Sequence, residues 1–259
     1  MSAKELTATP ATAVAPGRTA APSRSERWLP TLLSVIAGMV DVIGFLTLGI
    51  FTAHVTGNIV VIGALIVRHN RVSPAQILAI PVFIFAVAAT WAIAKAFGKR
   101  GASLMRPLLL IQFLLIICLL IFSVITKPSA NPHGLMATIA AMIAVTTMAC
   151  QFALLRLTLP VAPSTAVMTG NLTNAVLSFM DSRSEEQPLI EDSGRRLRSA
   201  LHLLFGFFVG SVVATAALMY VGDWAWSLPA VLAAVAVAIC YGVCPRTRSH
   251  YNDQAFNSD

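Results

Sequence analysis

Six long apolar stretches recur along the chain, separated by short polar segments. About 20 apolar residues cross a bilayer as a helix, so each of these stretches is long enough to span. Two further apolar pieces, residues 59–67 and 172–180, are only about half that length. The pattern predicts an all-α polytopic membrane protein with about six transmembrane helices, expected over residues 29–50, 75–97, 105–126, 134–156, 199–221 and 226–244.

Each short apolar piece follows a copy of the same motif. TAHVTGN covers residues 52–58 and TAVMTGN covers residues 165–171, and five of the seven positions are identical. We therefore predict an internal repeat, with repeat one at about 29–126 and repeat two at about 134–244.

The two short pieces could either cross the membrane or enter it and return as re-entrant half-helices. Their length covers about half of a ~30 Å hydrocarbon core, and Pro160 and Pro163 disfavour helix before the second piece. Basic loop residues face the cytoplasm, and eight crossings would leave five of the 18 Lys and Arg residues outside, against three for six crossings. We predict six spans and two re-entrant half-helices in two inverted repeats, with seven or eight spans and parallel repeats as the alternative.

Composition and charge narrow the class of protein. Hydrophobic residues make up 57% of the chain and charged residues 11%, against about 25% charged in a soluble domain. The net charge of +7 lies mainly between apolar stretches, where it orients helices, so no nucleic-acid partner is expected. We expect a disordered basic cytoplasmic tail at 1–28, a membrane domain at 29–245 and a second cytoplasmic tail at 246–259.

The repeated motif is polar where hydrocarbon should surround it. Irregular backbone at membrane depth is tolerated only where protein buries it or where it lines an aqueous cavity. Gly57 and Gly170 permit such backbone, and a half-helix that starts there would present free N–H groups to an anionic or polar solute. The alternative is that the polar side chains only form hydrogen bonds with backbone groups that have no helical partner. The motif supplies four residues typical of helix N-caps, namely Thr56, Asn58, Thr169 and Asn171.

Ionisable residues are concentrated in repeat one. Asp41 lies inside the first apolar stretch, where a carboxylate costs at least about 2.5–3.5 kcal/mol and should face the bundle interior. Its approximate counterpart in repeat two is Gln151, which cannot ionise, and His54 stands where the second motif has Val167. This asymmetry indicates a proton-linked path. The alternatives are a neutral Asp41 that fixes helix register and a His54 that lies at the membrane interface.

The segments AGMVDVIGFLTLGIFTAHVTGNIV and QFALLRLTLPVAPSTAVMTGNLT together resemble the YoaK family of bacterial membrane proteins, a family of unknown function. The resemblance covers residues 28 to 244. It implies a bacterial inner-membrane protein with about six helices, and it implies no substrate, cofactor or catalytic residue.

Our functional hypothesis is a small-solute transporter or channel with a path between the two half-helices that begin at T-G-N. The alternative is a membrane sensor or scaffold that binds a lipid or a partner protein and moves nothing. No enzyme is expected, because the chain has neither an HExxH nor a GxSxG motif. We expect the lipid bilayer and a small polar or anionic solute as partners, no cofactor or metal, and cytoplasmic termini; the sequence leaves a homo-oligomer open.

Overall fold

The computed structural model describes residues 24–98, 102–159, 165, 168–181 and 190–243, and in these ranges the regular structure is entirely helical. Most of the expected 1–28 tail and all of the 246–259 tail lie outside the described residues. The described residues form eight α-helices: α1 Arg24–Leu48, α2 Gly57–Val67, α3 Pro74–Ala96, α4 Ala102–Thr126, α5 Leu135–Thr158, α6 Met168–Asp181, α7 Ile190–Val221 and α8 Ser227–Val243.

Long apolar helices confirm a polytopic membrane protein. Within the described residues, five stretches are long and apolar enough to cross a bilayer, and the last of them contains most of α7, a 3₁₀ turn at Gly222–Trp226 and most of α8. The predicted fifth and sixth spans are therefore present as two helices joined by a tight turn. The five stretches are Trp28–Leu48, Pro74–Ala96, Ser103–Thr126, Leu135–Thr158 and Leu197–Gly242.

The packing partners of the helices follow the internal repeat. If α1–α4 and α5–α8 are equivalent units, the contact of α1 with α7 corresponds to that of α5 with α3, and both are present. The contact of α4 with α5 likewise corresponds to that of α8 with α1, and that of α2 with α3 to that of α6 with α7. Two copies of one four-helix unit, exchanged by a two-fold relation, give this pattern.

Close packing at glycines shows that α1 and α7 run in the same direction. A Cβ added to Gly206 would lie 3.0 Å from the Thr31 carbonyl oxygen, and one added to Gly210 would overlap the Val35 carbonyl oxygen. The contacts advance by one turn on both helices together, so the helices are parallel. Only glycine permits this backbone approach, as in other tightly packed membrane helices.

Contacts between turns fix the direction of the remaining helices. The Ser129 hydroxyl, just after α4, donates to Asp223 Oδ2 at 2.7 Å, just after α7. Since α7 is parallel to α1, α4 also runs in the direction of α1. Arg106, near the start of α4, donates to the Cys240 carbonyl near the end of α8, which agrees with this order.

α3 begins beside the end of α1, where the Gln76 amide donates to the Gly49 carbonyl, and α5 follows α4 after a short turn. The six long helices of the described residues therefore alternate in direction when α2 and α6 are left out of the count. The first helices of the two units, α1 and α5, run in opposite directions, as inverted repeats require. Eight alternating crossings would make α1 and α4 antiparallel. The close packing of α7 on α1 and the bond between the turns after α4 and α7 show instead that α1 and α4 are parallel.

Candidate functional site

Asp41 binds the loop that follows its own helix. Asp41 is 4% exposed, and Oδ1 of its carboxylate accepts backbone N–H groups from Thr52 at 2.8 Å, Ala53 at 2.7 Å and His54 at 3.3 Å. The Thr52 hydroxyl lies 3.4 Å from the same oxygen. Three converging N–H donors compensate a buried negative charge, so the expected inward orientation of Asp41 is confirmed.

His54 binds the second oxygen of the Asp41 carboxylate. Its Nδ1 lies 2.7 Å from Asp41 Oδ2, and its side chain is 34% exposed. The hydrogen bond to Asp41 raises the pKa of the His54 imidazole above its ordinary value, while partial burial opposes the shift. The ring meets Phe207 of α7 edge-on, with 5.2 Å between ring centroids. The pair of titratable side chains therefore joins α1, the loop and α7.

The loop at residues 49–56 turns back along α1. α1 ends at Leu48, where Gly49 takes a left-handed φ of +69°. Asp41 precedes Leu48 by seven residues, so its contact with Thr52 and Ala53 draws the loop about 10 Å back from the helix end.

α2 then leads the chain back to the end of α1. It begins at Gly57 and rises about 16 Å over its 11 residues. The Gln76 side chain near the start of α3 donates to the Gly49 carbonyl at 3.1 Å, so α3 begins beside the end of α1. The chain enters the bundle at the loop and returns to the end from which it came.

The start of α2 differs from the expected anion site. Thr56 occupies the N-cap position but makes no capping bond with its side chain. The N–H groups of Gly57, Asn58 and Ile59 donate to the carbonyl oxygens of His54, Val55 and Thr56 respectively. The prediction of free N–H groups at this helix start is wrong, because a tight turn pairs them with the preceding residues.

Asn58 ties the loop to α2 and is not an N-cap. It is fully buried, its amide donates to the Phe51 carbonyl at 2.8 Å, and its oxygen accepts the Phe51 N–H at 2.9 Å. A Cβ on Gly57 would lie 3.1 Å from the Phe51 ring, which accounts for the glycine. In the first copy, T-G-N thus closes the loop that Asp41 holds.

The second copy is only partly within the described residues. Pro160 and Pro163 lie outside them, and α6 begins at Met168, two residues before Gly170. Thr169 is exposed, whereas Asn171 is buried like Asn58. The expected helix start at Gly170 is therefore displaced, and α6 packs against α7.

Gln151 lies apart from the Asp41–His54 pair. Its amide donates to the Leu33 carbonyl at 2.9 Å, and its oxygen accepts from Gln112 at 2.6 Å. Leu33 precedes Asp41 by eight residues, about 12 Å along α1. Gln151 thus fastens α1, α4 and α5 together. Gln112 was missed by the sequence analysis, although a glutamine inside an apolar span was a visible signal.

Residues 29–239, most of the chain, match the family described as "Protein of unknown function (DUF1275)". The chain belongs to the DUF1275 family. This family is consistent with the resemblance to YoaK proteins and assigns no activity. No curated protein and no solved structure matches the chain.

A cavity of about 610 Å³ opens beside the Asp41–His54 pair in this DUF1275 protein. A volume of this size lies in the range of about 300–1,000 Å³ typical of small-molecule sites. Phe207 was not predicted, because the sequence contains no signal that would place α7 against the loop. Within the described ranges no group of three His, Cys, Asp or Glu side chains could hold a metal ion. The cavity is lined by Asp41, His54, Phe45, Leu46, Phe51 and Phe207, among others.

Proposed function

We propose that the chain is a small-solute transporter or channel of the bacterial inner membrane, linked to proton uptake and release at His54. The observation that carries the proposal is the pairing of a buried carboxylate with a part-exposed histidine at a break between two helices, beside a cavity. Broken helices and intramembrane carboxylates mark solute and proton paths in membrane proteins.

In this proposal the six alternating helices cross the membrane, and the loop with α2 forms a re-entrant element. α1 and α4 start at the same end of the bundle, and α8 ends there. The segment around Lys95, Arg106 and the chain termini is the basic end, which the positive-inside rule assigns to the cytoplasm. The loop then enters from the outer side.

Proton transfer is assigned to repeat one alone. His54 bonds Asp41 Oδ2 and lines the cavity, so its imidazole is the group that we propose to take up and release the proton. Gln151 and the T-G-N residues of α6 are neutral and supply no second titratable site. The solute itself is proposed to be a small molecule with a polar or charged group; an anion gains no support from α2, whose first N–H groups are paired with carbonyl oxygens.

A second function is favoured by a different feature of the same residues. The carboxylate of Asp41 and the amide of Asn58 are satisfied by the protein itself, as in a structural brace. A non-transporting sensor or scaffold would need these contacts only to hold the loop. It would bind a lipid or a partner protein and give no solute flux. Neither alternative includes an enzymatic step.

Flux measurements in proteoliposomes separate the two functions. The purified chain is reconstituted, a pH gradient is imposed, and uptake of a panel of small polar, anionic and cationic solutes is followed. We expect saturable uptake of at least one solute, with a rate that depends on pH. Gly63→Ala is the matched control, because a Cβ at this position meets no atom within 4 Å. Uptake no faster than in empty liposomes for the whole panel would refute transport and leave the scaffold.

A further inference from the structure

The cavity beside Asp41 and His54 combines aromatic walls with one charged pair. The rings of Phe45 and Phe51 are stacked with 4.4 Å between centroids, and Phe207 packs its ring against His54. All three rings line the cavity, together with the two ionisable side chains. The remainder of the described lining is aliphatic except for Thr215 and Gly57.

The polar groups of this cavity suit a cation better than an anion. The loop N–H groups of Thr52, Ala53 and His54 point at Asp41, and those at the start of α2 are paired with carbonyl oxygens. An entering anion would therefore meet a carboxylate and find few backbone donors. A cation would meet the carboxylate and aromatic rings, whose faces carry partial negative charge.

The charge of the pair depends on a single proton. With Asp41 ionised and His54 neutral, the pair carries one net negative charge. With His54 protonated, the pair is neutral and places a positive charge next to the cavity. A bound cation and the His54 proton therefore exclude each other by like-charge repulsion.

No other titratable group of the described residues joins this pair. α7 faces it with Phe207 and, across the cavity, Thr215, whereas His202 stacks on Trp28. Asp223, in the turn after α7, accepts from Ser129. On α5 and α8, which also pack against α1, the titratable side chains are Cys150, Arg156, Cys240 and Tyr241; Cys150 bonds the Leu108 carbonyl and Tyr241 stacks with Arg106.

We propose that the cavity binds an organic cation with aromatic or branched apolar substituents, in exchange for the proton on His54. The inference names the solute class of the proposed transport site and rests on that function only for its physiological purpose. The binding step itself is a property of the cavity. It forms no covalent bond: one cation enters as one proton leaves the imidazole to solvent.

The test uses two probes of nearly the same shape and opposite charge. Radiolabelled tetraphenylphosphonium and tetraphenylborate are equilibrated with the full chain in lipid nanodiscs between pH 5.5 and 8.5. We expect saturable binding of the phosphonium only. Its dissociation constant should fall by up to about tenfold per pH unit while His54 loses its proton, and then level off. In weak buffer at the acid end, binding should release up to one proton per cation.

Two variants assign the effect to the pair. His54→Gln keeps the carboxylate but cannot titrate near neutral pH, so binding should persist without its pH dependence. Asp41→Asn should weaken binding at least tenfold in protein that still elutes as a single folded species. Proton release from the wild type needs no variant and remains decisive if Asp41→Asn does not fold. Gly63→Ala should bind as the wild type does.

Several results would overturn the inference. These are binding of tetraphenylborate as tight as that of the phosphonium, absence of saturable phosphonium binding, or a wild-type affinity that is the same at pH 5.5 and 8.5. The proposed function fails separately. Phosphonium binding without flux of any solute in liposomes would refute transport and support the cation site. Flux of another solute without phosphonium binding would refute the cation site and leave transport in place.

Discussion

Replacing Asp41 by alanine should destabilise the fold far more than replacing it by asparagine. Alanine leaves three loop N–H groups without their acceptor, at a residue that is only 4% exposed. Each unsatisfied buried donor costs about 1–3 kcal/mol, so Asp41→Ala should lower the free energy of unfolding by an amount on the order of 3–9 kcal/mol. Asparagine can keep an oxygen towards the loop and loses only the charge. A hydrogen bond to a charged acceptor contributes roughly 1 kcal/mol more than one to a neutral acceptor. Asp41→Asn should therefore lower the free energy of unfolding by about 2–3 kcal/mol.

The assay is equilibrium unfolding in mixed detergent micelles, followed by loss of helical circular dichroism. Thr47→Val is the matched control in the same helix, because the Thr47 hydroxyl bonds only the Ile43 carbonyl one turn away. That change should cost no more than about 1 kcal/mol. If Asp41→Ala proves no more destabilising than Thr47→Val, the carboxylate does not hold the loop, and the account of the returning segment is wrong.

Three further predictions follow from the same geometry. Ser103, in α4 near its start, should be labelled from the cytoplasmic side after Ser103→Cys in a chain without native cysteines; labelling from outside intact cells would refute the assignment of the basic end to the cytoplasm. Gly210→Ala should lower the free energy of unfolding by about 1–3 kcal/mol because the methyl group meets the Val35 carbonyl. Gly63→Ala should raise it by about 0.5–1 kcal/mol, because a Cβ there meets no atom within 4 Å. Equal effects of the two changes would exclude the close contact of α1 with α7. The pKa of His54 is raised in the folded chain, so its protonation contributes stability that is fully present below the unfolded-state pKa of about 6.5 and is lost as the pH rises through the folded-state pKa. The free energy of unfolding should therefore decrease as the pH is raised from about 6 to about 9. His54→Gln should make this pH dependence smaller.

Helix positions were predictable because hydropathy is a local property of the chain. The expected span at 134–156 agrees with α5 to within two residues, and α2 begins at Gly57 where the motif predicts a helix start. α1 begins at Arg24, five residues before the expected span, because a helix can continue into a polar flank that hydropathy does not score. The paired motifs also predicted the repeat, which the packing partners of the helices follow.

The partners of the polar side chains were not predictable. Asp41 and His54 were each expected to be functional, but their 2.7 Å contact depends on a loop that returns about 10 Å along α1. The letters T-G-N suggested N-caps because those residue types favour helix starts. In the first copy the amide of Asn58 instead binds Phe51, a choice made by tertiary packing that residue types alone do not encode. Gln151 was paired with Asp41 by repeat position, yet its bonds go to Leu33 and Gln112.

The most direct test of proton linkage at the Asp41–His54 pair is the internal pH of proteoliposomes during solute uptake. A pH-sensitive dye is enclosed, and the solute with the largest flux is added outside to wild-type and His54→Gln vesicles in parallel. If His54 carries the coupled proton, internal pH should change with solute uptake in the wild type, whereas His54→Gln should take up solute without that change. Solute uptake by the wild type at constant internal pH would contradict proton linkage at His54, as would an equal pH change in His54→Gln.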